Sequence, residues 1–177
     1  MRKIILFVLM MAFSVQCSGL MFPIPEQYVI KGANGNALLT GCFDEMRGAV
    51  KHGGLDIPAP LNTPVLAIKD GVILAHDNEK YNGKQAFGNY VAIRGADGGV
   101  TYYAHLQSYN VLIDQVVLAG DEIGKVGATG LDSDRFHLHL EERMNGKKIK
   151  ITNKFDRWFT FIPKYRHKEV QDLNVSN

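Results

Sequence analysis

From Ala37 onward, apolar and polar residues alternate in short runs broken by Gly, Asn and Asp. That two-residue period belongs to half-buried strands, and no helical period extends beyond a few residues before the tail. The pattern predicts strands over Leu38–Phe43, Pro64–Ile68, Val72–His76, Asn89–Arg94, Val100–Leu106, Val116–Leu118, Glu122–Val126 and Phe136–Glu142. Turn chemistry at Asp70-Gly71, Asp97-Gly98, Gly120-Asp121 and Asn145-Gly146 suits reversals between them. Many short strands with such turns imply an all-β domain over residues 37–150, mainly an antiparallel sheet or sandwich. Within it, Phe136-His137-Leu138-His139-Leu140-Glu141 puts His137 and His139 on one face and Phe136, Leu138 and Leu140 on the other, buried face.

Both ends of the chain differ from this body. Met1-Arg2-Lys3, an apolar run from Ile4 to Phe13 and the small residues around Cys17-Ser18-Gly19 form the layout of a secretory signal, residues 1–19, with cleavage expected after Gly19. Lipid attachment at Cys17 is the lesser alternative, because Ser14 and Gln16 make a poor lipoprotein site. No apolar run is long enough to span a bilayer in the mature chain, which is expected to act as a monomer in the periplasm, cell envelope or medium. Residues 20–36 read as a lead-in segment. Residues 151–177 form a basic tail carrying Phe155, Trp158, Phe159 and Phe161, expected to cover one end of the sheet with its aromatics.

Composition narrows the function. The 177 residues are 46% hydrophobic and 21% charged, as in one globular domain. Removing residues 1–19 takes Arg2 and Lys3 and no acid, so 20 basic against 18 acidic residues becomes 18 against 18. A balanced mature chain gives no support to a nucleic-acid-binding role. Cleavage would also leave Cys42 as the single cysteine, read as a small buried hydrophobe.

Histidines carry the candidate chemistry. In His52-Gly53-Gly54-Leu55-Asp56 a carboxylate follows an imidazole by four residues. A straight strand would hold them about 13 Å apart at roughly 3.3 Å per residue, too far to share an ion. Paired glycines disfavour a helix, so a tight bend at Gly53-Gly54 is expected to fold Asp56 back toward His52. Two His and one carboxylate make a common catalytic zinc set with its fourth position left for water. His137 or His139 could complete it, and His105 is a further candidate. By alternation Thr101, Tyr103 and His105 share a face, which makes Tyr103 a candidate to line a substrate groove. Glu141 falls on the His137/His139 face, where a solvated carboxylate is the default expectation and support of a metal ligand the alternative.

Taken together, His52-x-Gly54-x-Asp56, Thr63-Pro64-Val65 with Asp70-Gly71, Gly88-Asn89, Thr101-x-Tyr103-Ala104-His105-Leu106 and His137-Leu138-His139 resemble, in order, the lysostaphin-like (LytM-type) zinc metallopeptidases that cut peptidoglycan. The resemblance covers roughly residues 36–146. It implies a compact antiparallel β domain with an open groove, and one Zn2+ held by His52, Asp56 and His139. It further implies that His105 and His137 act on the bound water and the transition state, with peptidoglycan stems or cross-bridges as substrate. Asn62 departs from the family's usual Gly, and the loop from Leu131 to Phe136 is longer than usual and lacks its Gly. Two rival readings follow from other features. One is a non-catalytic relative of the same fold that binds peptidoglycan or activates an amidase. The other is a group-carrier module, suggested by Val117-Leu118-Ala119-Gly120-Asp121-Glu122-Ile123-Gly124.

Overall fold

The computed structural model describes residues 20–32, 35–78, 86–130, 133, 135–151 and 159–161. Among these run thirteen strands: β1 (Ala37–Leu39), β2 (Met46–Arg47), β3 (Val50–Lys51), β4 (Leu55–Pro58), β5 (Pro64–Leu66), β6 (Gly71–Asn78), β7 (Asn89–Gly95), β8 (Val100–Tyr109), β9 (Val116–Val117), β10 (Glu122–Val126), β11 (His137–Met144), β12 (Lys147–Ile149) and β13 (Phe159–Phe161). Nine form one antiparallel sheet in which β12, β11, β8, β7, β6 and β9 lie side by side. In the same sheet β4 pairs with β11, and β10 pairs with both β5 and β8. The all-β, mainly antiparallel architecture expected from the alternation is the one observed.

Period-2 placement sets which face does what. Leu55 and Ile57 of β4, Val91 and Ile93 of β7, Tyr103 of β8, and Leu138 and Leu140 of β11 turn into one buried core with Ile24, Leu39, Ile73, Ile123 and Val126. The other face carries a smaller cluster of Tyr90, Ala92 and Ala104, against which Phe87 and Tyr102 pack. β11 is central to both layers. Its first half is flanked by β4 and β8, and its second half by β8 and β12.

Segments without clear alternation are where expectation and structure differ. Leu38–Phe43 shortens to Ala37–Leu39, paired in parallel with Phe159–Phe161. Beyond it the backbone leaves the strand, and Gly41 makes one isolated bridge to Asp56. The two-residue strands β2 and β3, and the strands β4 and β12, were too short or too close to Gly and Pro to register as periodic. Phe136, expected in the core, is 43% exposed because β11 begins only at His137.

Residues 20–32 lie against β5 and its end. Met21 N–H donates to Ile68 O, Leu66 N–H to Pro23 O and Leu38 N–H to Ile30 O, and Ile24 is buried in the core. The expected signal (1–19), Phe155 and Trp158 of the tail, and most of the loop from Leu131 to Asp134 lie outside the described residues. No helix among the described residues is long and apolar enough to cross a membrane.

Candidate metal centre and active site

β4 and β11 run antiparallel with Asp56 directly opposite His139. Directly opposed residues share a face with their Cβ atoms about 5 Å apart, so this register alone brings imidazole and carboxylate together. His52 enters from the segment before β4, and the chain bends at Gly54. Gly54 is needed for closeness: a Cβ there would collide with the Leu140 carbonyl and press on the His139 ring. The result is a compact triangle. His139 Nδ1 lies 2.9 Å and His52 Nε2 3.1 Å from Asp56 Oδ1, and the two nitrogens are 3.1 Å apart. All three residues are buried. The 13 Å of an extended chain has therefore collapsed to hydrogen-bond range.

Each imidazole is turned by what its outer nitrogen touches. His52 Nδ1 is 2.9 Å from Cys42 O, His105 Nδ1 2.9 Å from Thr129 O, and His137 Nδ1 2.9 Å from Arg135 O. A carbonyl can only accept, so each of these Nδ1 atoms carries the proton and Nε2 is the ring's acceptor. His139 is reversed: its Nε2 faces Glu141 Oε2 at 3.8 Å, leaving Nδ1 toward Asp56. Acceptor lone pairs from His52 and His139 thus meet a carboxylate oxygen at one point. In these tautomers all three atoms are acceptors, so either a proton on an imidazole or a cation must join them, and this N, N, O set at mutual separations within 4.8 Å suits zinc.

His137 Nε2 lies 3.6 Å from Asp56 Oδ1, and the His105 ring centroid is 4.8 Å from that of His137 and 5.6 Å from that of His139. All five predicted histidine and aspartate positions therefore converge. Tyr103 does not. It is fully buried on the opposite face, where its hydroxyl accepts the Ile68 N–H at 2.9 Å, so it is a core residue and not a groove residue. The alternation from Thr101 fails at His105, whose φ of +62° marks a break in β8. The β7–β8 register shifts across the same place, between Tyr103 and Leu106, and the β10–β8 register shifts just beyond it, between Leu106 and Ser108. An extra residue of this kind flips one side chain to the other face, carrying His105 out of the core and into the site.

Glu141 also departs from its default. It is wholly buried, with Arg143 Nε at 2.5 Å and Lys148 Nζ at 3.0 Å, and its Oε2 lies 3.8 Å behind His139 Nε2. Two cleft residues had no signal in the periodicity. Phe87, just before Gly88-Asn89, places its ring 5.6 Å from that of His139, and Arg47 reaches Asp56 from the β2–β3 hairpin. Val50, Lys51 and Lys148 complete the rim. Asn62, the departure from the family's Gly, holds φ +65°, a conformation Asn tolerates.

Electrostatics follow from this packing. Burial raises the Asp56 carboxyl, but hydrogen bonds from His139 and His52 outweigh it and hold the group well below the usual carboxylate range. Burial lowers the His139 imidazole, yet Asp56 and Glu141 draw it above its ordinary value. His105 falls to about 3, first through burial and then through repulsion from His137 and His139. It therefore rests as a neutral acceptor. Glu141 is pulled down to about 2: burial opposes the shift, and His139, Arg143 and Lys148 override it.

Comparison with known proteins agrees with the geometry. The model of peptidase family M23 matches residues 50–151, more than half of the chain. The chain belongs to peptidase family M23. Within it, similarity reaches 46% identity over 95 residues to the cell division protein DipM of Caulobacter vibrioides, covering 52% of this chain and 14% of that protein. It is 42% over 98 residues to the DD-carboxypeptidase/endopeptidase Mpg of Neisseria meningitidis, covering 55% and 21%. The chain thus spans about a fifth or less of these relatives' lengths. Among solved structures, the catalytic domain of the antimicrobial peptidase lysostaphin from Staphylococcus simulans superposes with TM-score 0.61 at 26% identity, over 70% of this chain and 94% of that one. A zinc containing peptidase from Vibrio cholerae gives 0.63 at 25% identity, over 76% and 39%.

Proposed function

We propose that this M23 protein is a zinc endopeptidase that hydrolyses peptide bonds in peptidoglycan stems or cross-bridges, acting as a monomer that is secreted or held in the periplasm or cell envelope. The observation that carries it is the convergence of His52 Nε2, Asp56 Oδ1 and His139 Nδ1 beside two further imidazoles. The relatives support the substrate class: Mpg is a DD-carboxypeptidase/endopeptidase, and ShyC of Vibrio cholerae, 41% identical over 100 residues, is a peptidoglycan DD-endopeptidase. His52, Asp56 and His139 would hold the zinc, which when bound supplies Lewis acidity toward water and the scissile carbonyl.

The chain's own residues supply the rest. His105, kept neutral by burial, offers an acceptor nitrogen fixed by Thr129 O, and His137 is fixed in the same way by Arg135 O. One would take a proton from the attacking water at its acceptor Nε2, and the other, once protonated at Nε2, would donate to the developing oxyanion, a role worth about 10²–10³ in rate for one donor. Phe87 and the hairpin side chains at Val50 and Lys51 wall the cleft through which a peptide would reach them.

The test is incubation of the mature protein with purified peptidoglycan, following new free amino groups and identifying the fragments that bear them. His139→Ala should lose bound zinc, whereas His105→Ala and His137→Ala should keep it and lose most turnover. Wild-type digestion by all three variants would refute the enzyme reading. Wild-type zinc binding without any digestion would favour the non-catalytic peptidoglycan-binding or amidase-activating relative.

A further inference from the structure

The two oxygens of Asp56 have different surroundings. Oδ1 is the point on which His52, His139 and His137 converge. Oδ2 accepts a hydrogen bond from Arg47 Nη2, which arrives from the exposed β2–β3 hairpin. The approach passes over Gly41. A Cβ at that position would overlap both Arg47 Nη2 and Asp56 Oδ2, and Gly41 is itself the backbone bridge partner of Asp56. The remainder of the hairpin does not need this reach, since Met46 and Val50 are exposed and the Arg47–Glu45 pair is looser at 3.7 Å.

We propose that Arg47 is a positioning residue for the metal centre, holding Asp56 Oδ2 so that the carboxylate offers only Oδ1 to the cation, with Gly41 as the gap that admits the guanidinium. The inference rests on the metal-site reading above. A buried carboxylate oxygen without a donor is costly, and a charge-assisted bond to Arg removes that cost while locking the carboxylate's rotation. Removing the guanidinium would release that lock, so the carboxylate would no longer be held ready beside His52 and His139.

The decisive measurement is zinc affinity by chelator competition, with the Co2+ absorption spectrum recorded on the same proteins. Arg47→Ala and Gly41→Ala should each raise the zinc Kd about 10–100-fold and alter the Co2+ spectrum, as loss of a residue supporting a ligand does. Arg47→Lys should recover part of the loss, and Met46→Ala on the same hairpin should match wild type. A wild-type Kd for Arg47→Ala overturns the proposal. An equal loss in Met46→Ala also overturns it, since hairpin integrity would then be the cause. If Gly41→Ala does not fold, as judged by the melting of its metal-free form, Arg47→Ala decides alone. Wild-type protein that binds zinc no better than His139→Ala would refute the metal-site reading itself, a result distinct from either outcome for Arg47.

Discussion

Replacing His105 once by alanine and once by glycine isolates the backbone break that delivers this residue to the site. Both variants lose the imidazole, its bond to Thr129 O and its packing on His137 and His139, so those terms cancel between them. What differs is the Cβ at φ +62°. A non-glycine residue in the left-handed region costs about 1–2 kcal/mol. Glycine costs about 0.5–1 kcal/mol more chain entropy on folding than alanine does. The balance favours His105→Gly over His105→Ala by about 0.5–1 kcal/mol, or roughly 1–4 °C in Tm for a domain of this size. In an ordinary strand the sign reverses, and glycine is the less stable variant. Thermal and urea melts of the two proteins in excess chelator, followed by circular dichroism, make the comparison without any contribution from metal. A glycine variant equal to or less stable than the alanine variant would mean that His105 does not sit in a left-handed break, and the account of how it changes face would fall.

Three further outcomes follow from other contacts. Glu141→Gln keeps the shape behind His139 but removes the charge, and should weaken zinc binding about 10–100-fold in chelator competition; an unchanged Kd would leave Glu141 only its pairs with Arg143 and Lys148. Tyr103→Phe strips the Ile68 N–H of its acceptor in the core and should cost about 1–3 kcal/mol of stability with no change in KM for peptidoglycan. A raised KM with intact stability would return Tyr103 to the groove. Burial, followed by the charges of Glu45 and Asp56, raises the Cys42 thiol from 9.0 to about 11. A raised thiol pKa lowers the reactive thiolate fraction, so alkylation at pH 8 should be about a hundredfold slower in the folded metal-free protein than in urea. Equal rates would show that the thiol is not held in that environment.

Much of the fold is carried by local alternation. Where apolar residues recur at every second position, as in Phe136-His137-Leu138-His139-Leu140, strand and the buried face of Leu138 and Leu140 both follow from the sequence, whereas the short apolar-rich runs Asn89–Arg94 and Glu122–Val126 predict a strand without sorting its faces. The same logic puts His137, His139 and Glu141 on one face, and the structure agrees. It fails where the period is interrupted. Alternation places His105 beside Tyr103, and the break at His105 separates them onto opposite faces. Strands of two to four residues, such as β2, β3 and β4, are too short to show a period at all.

The sequence by itself determined the list of candidate metal-binding and proton-transferring side chains, because residue type and order are local properties, and it determined the all-β class through a two-residue rhythm. Tertiary structure decided how those side chains are used. The β4–β11 register sets Asp56 against His139, the carbonyls of Cys42 and Thr129 turn His52 and His105, and Arg47 and Glu141 reach Asp56 and His139 from positions that no spacing rule connects to them. The physical reason is that a ligand's rotation, tautomer and charge depend on what it touches through space, and those contacts exist only after strands far apart in the chain have paired.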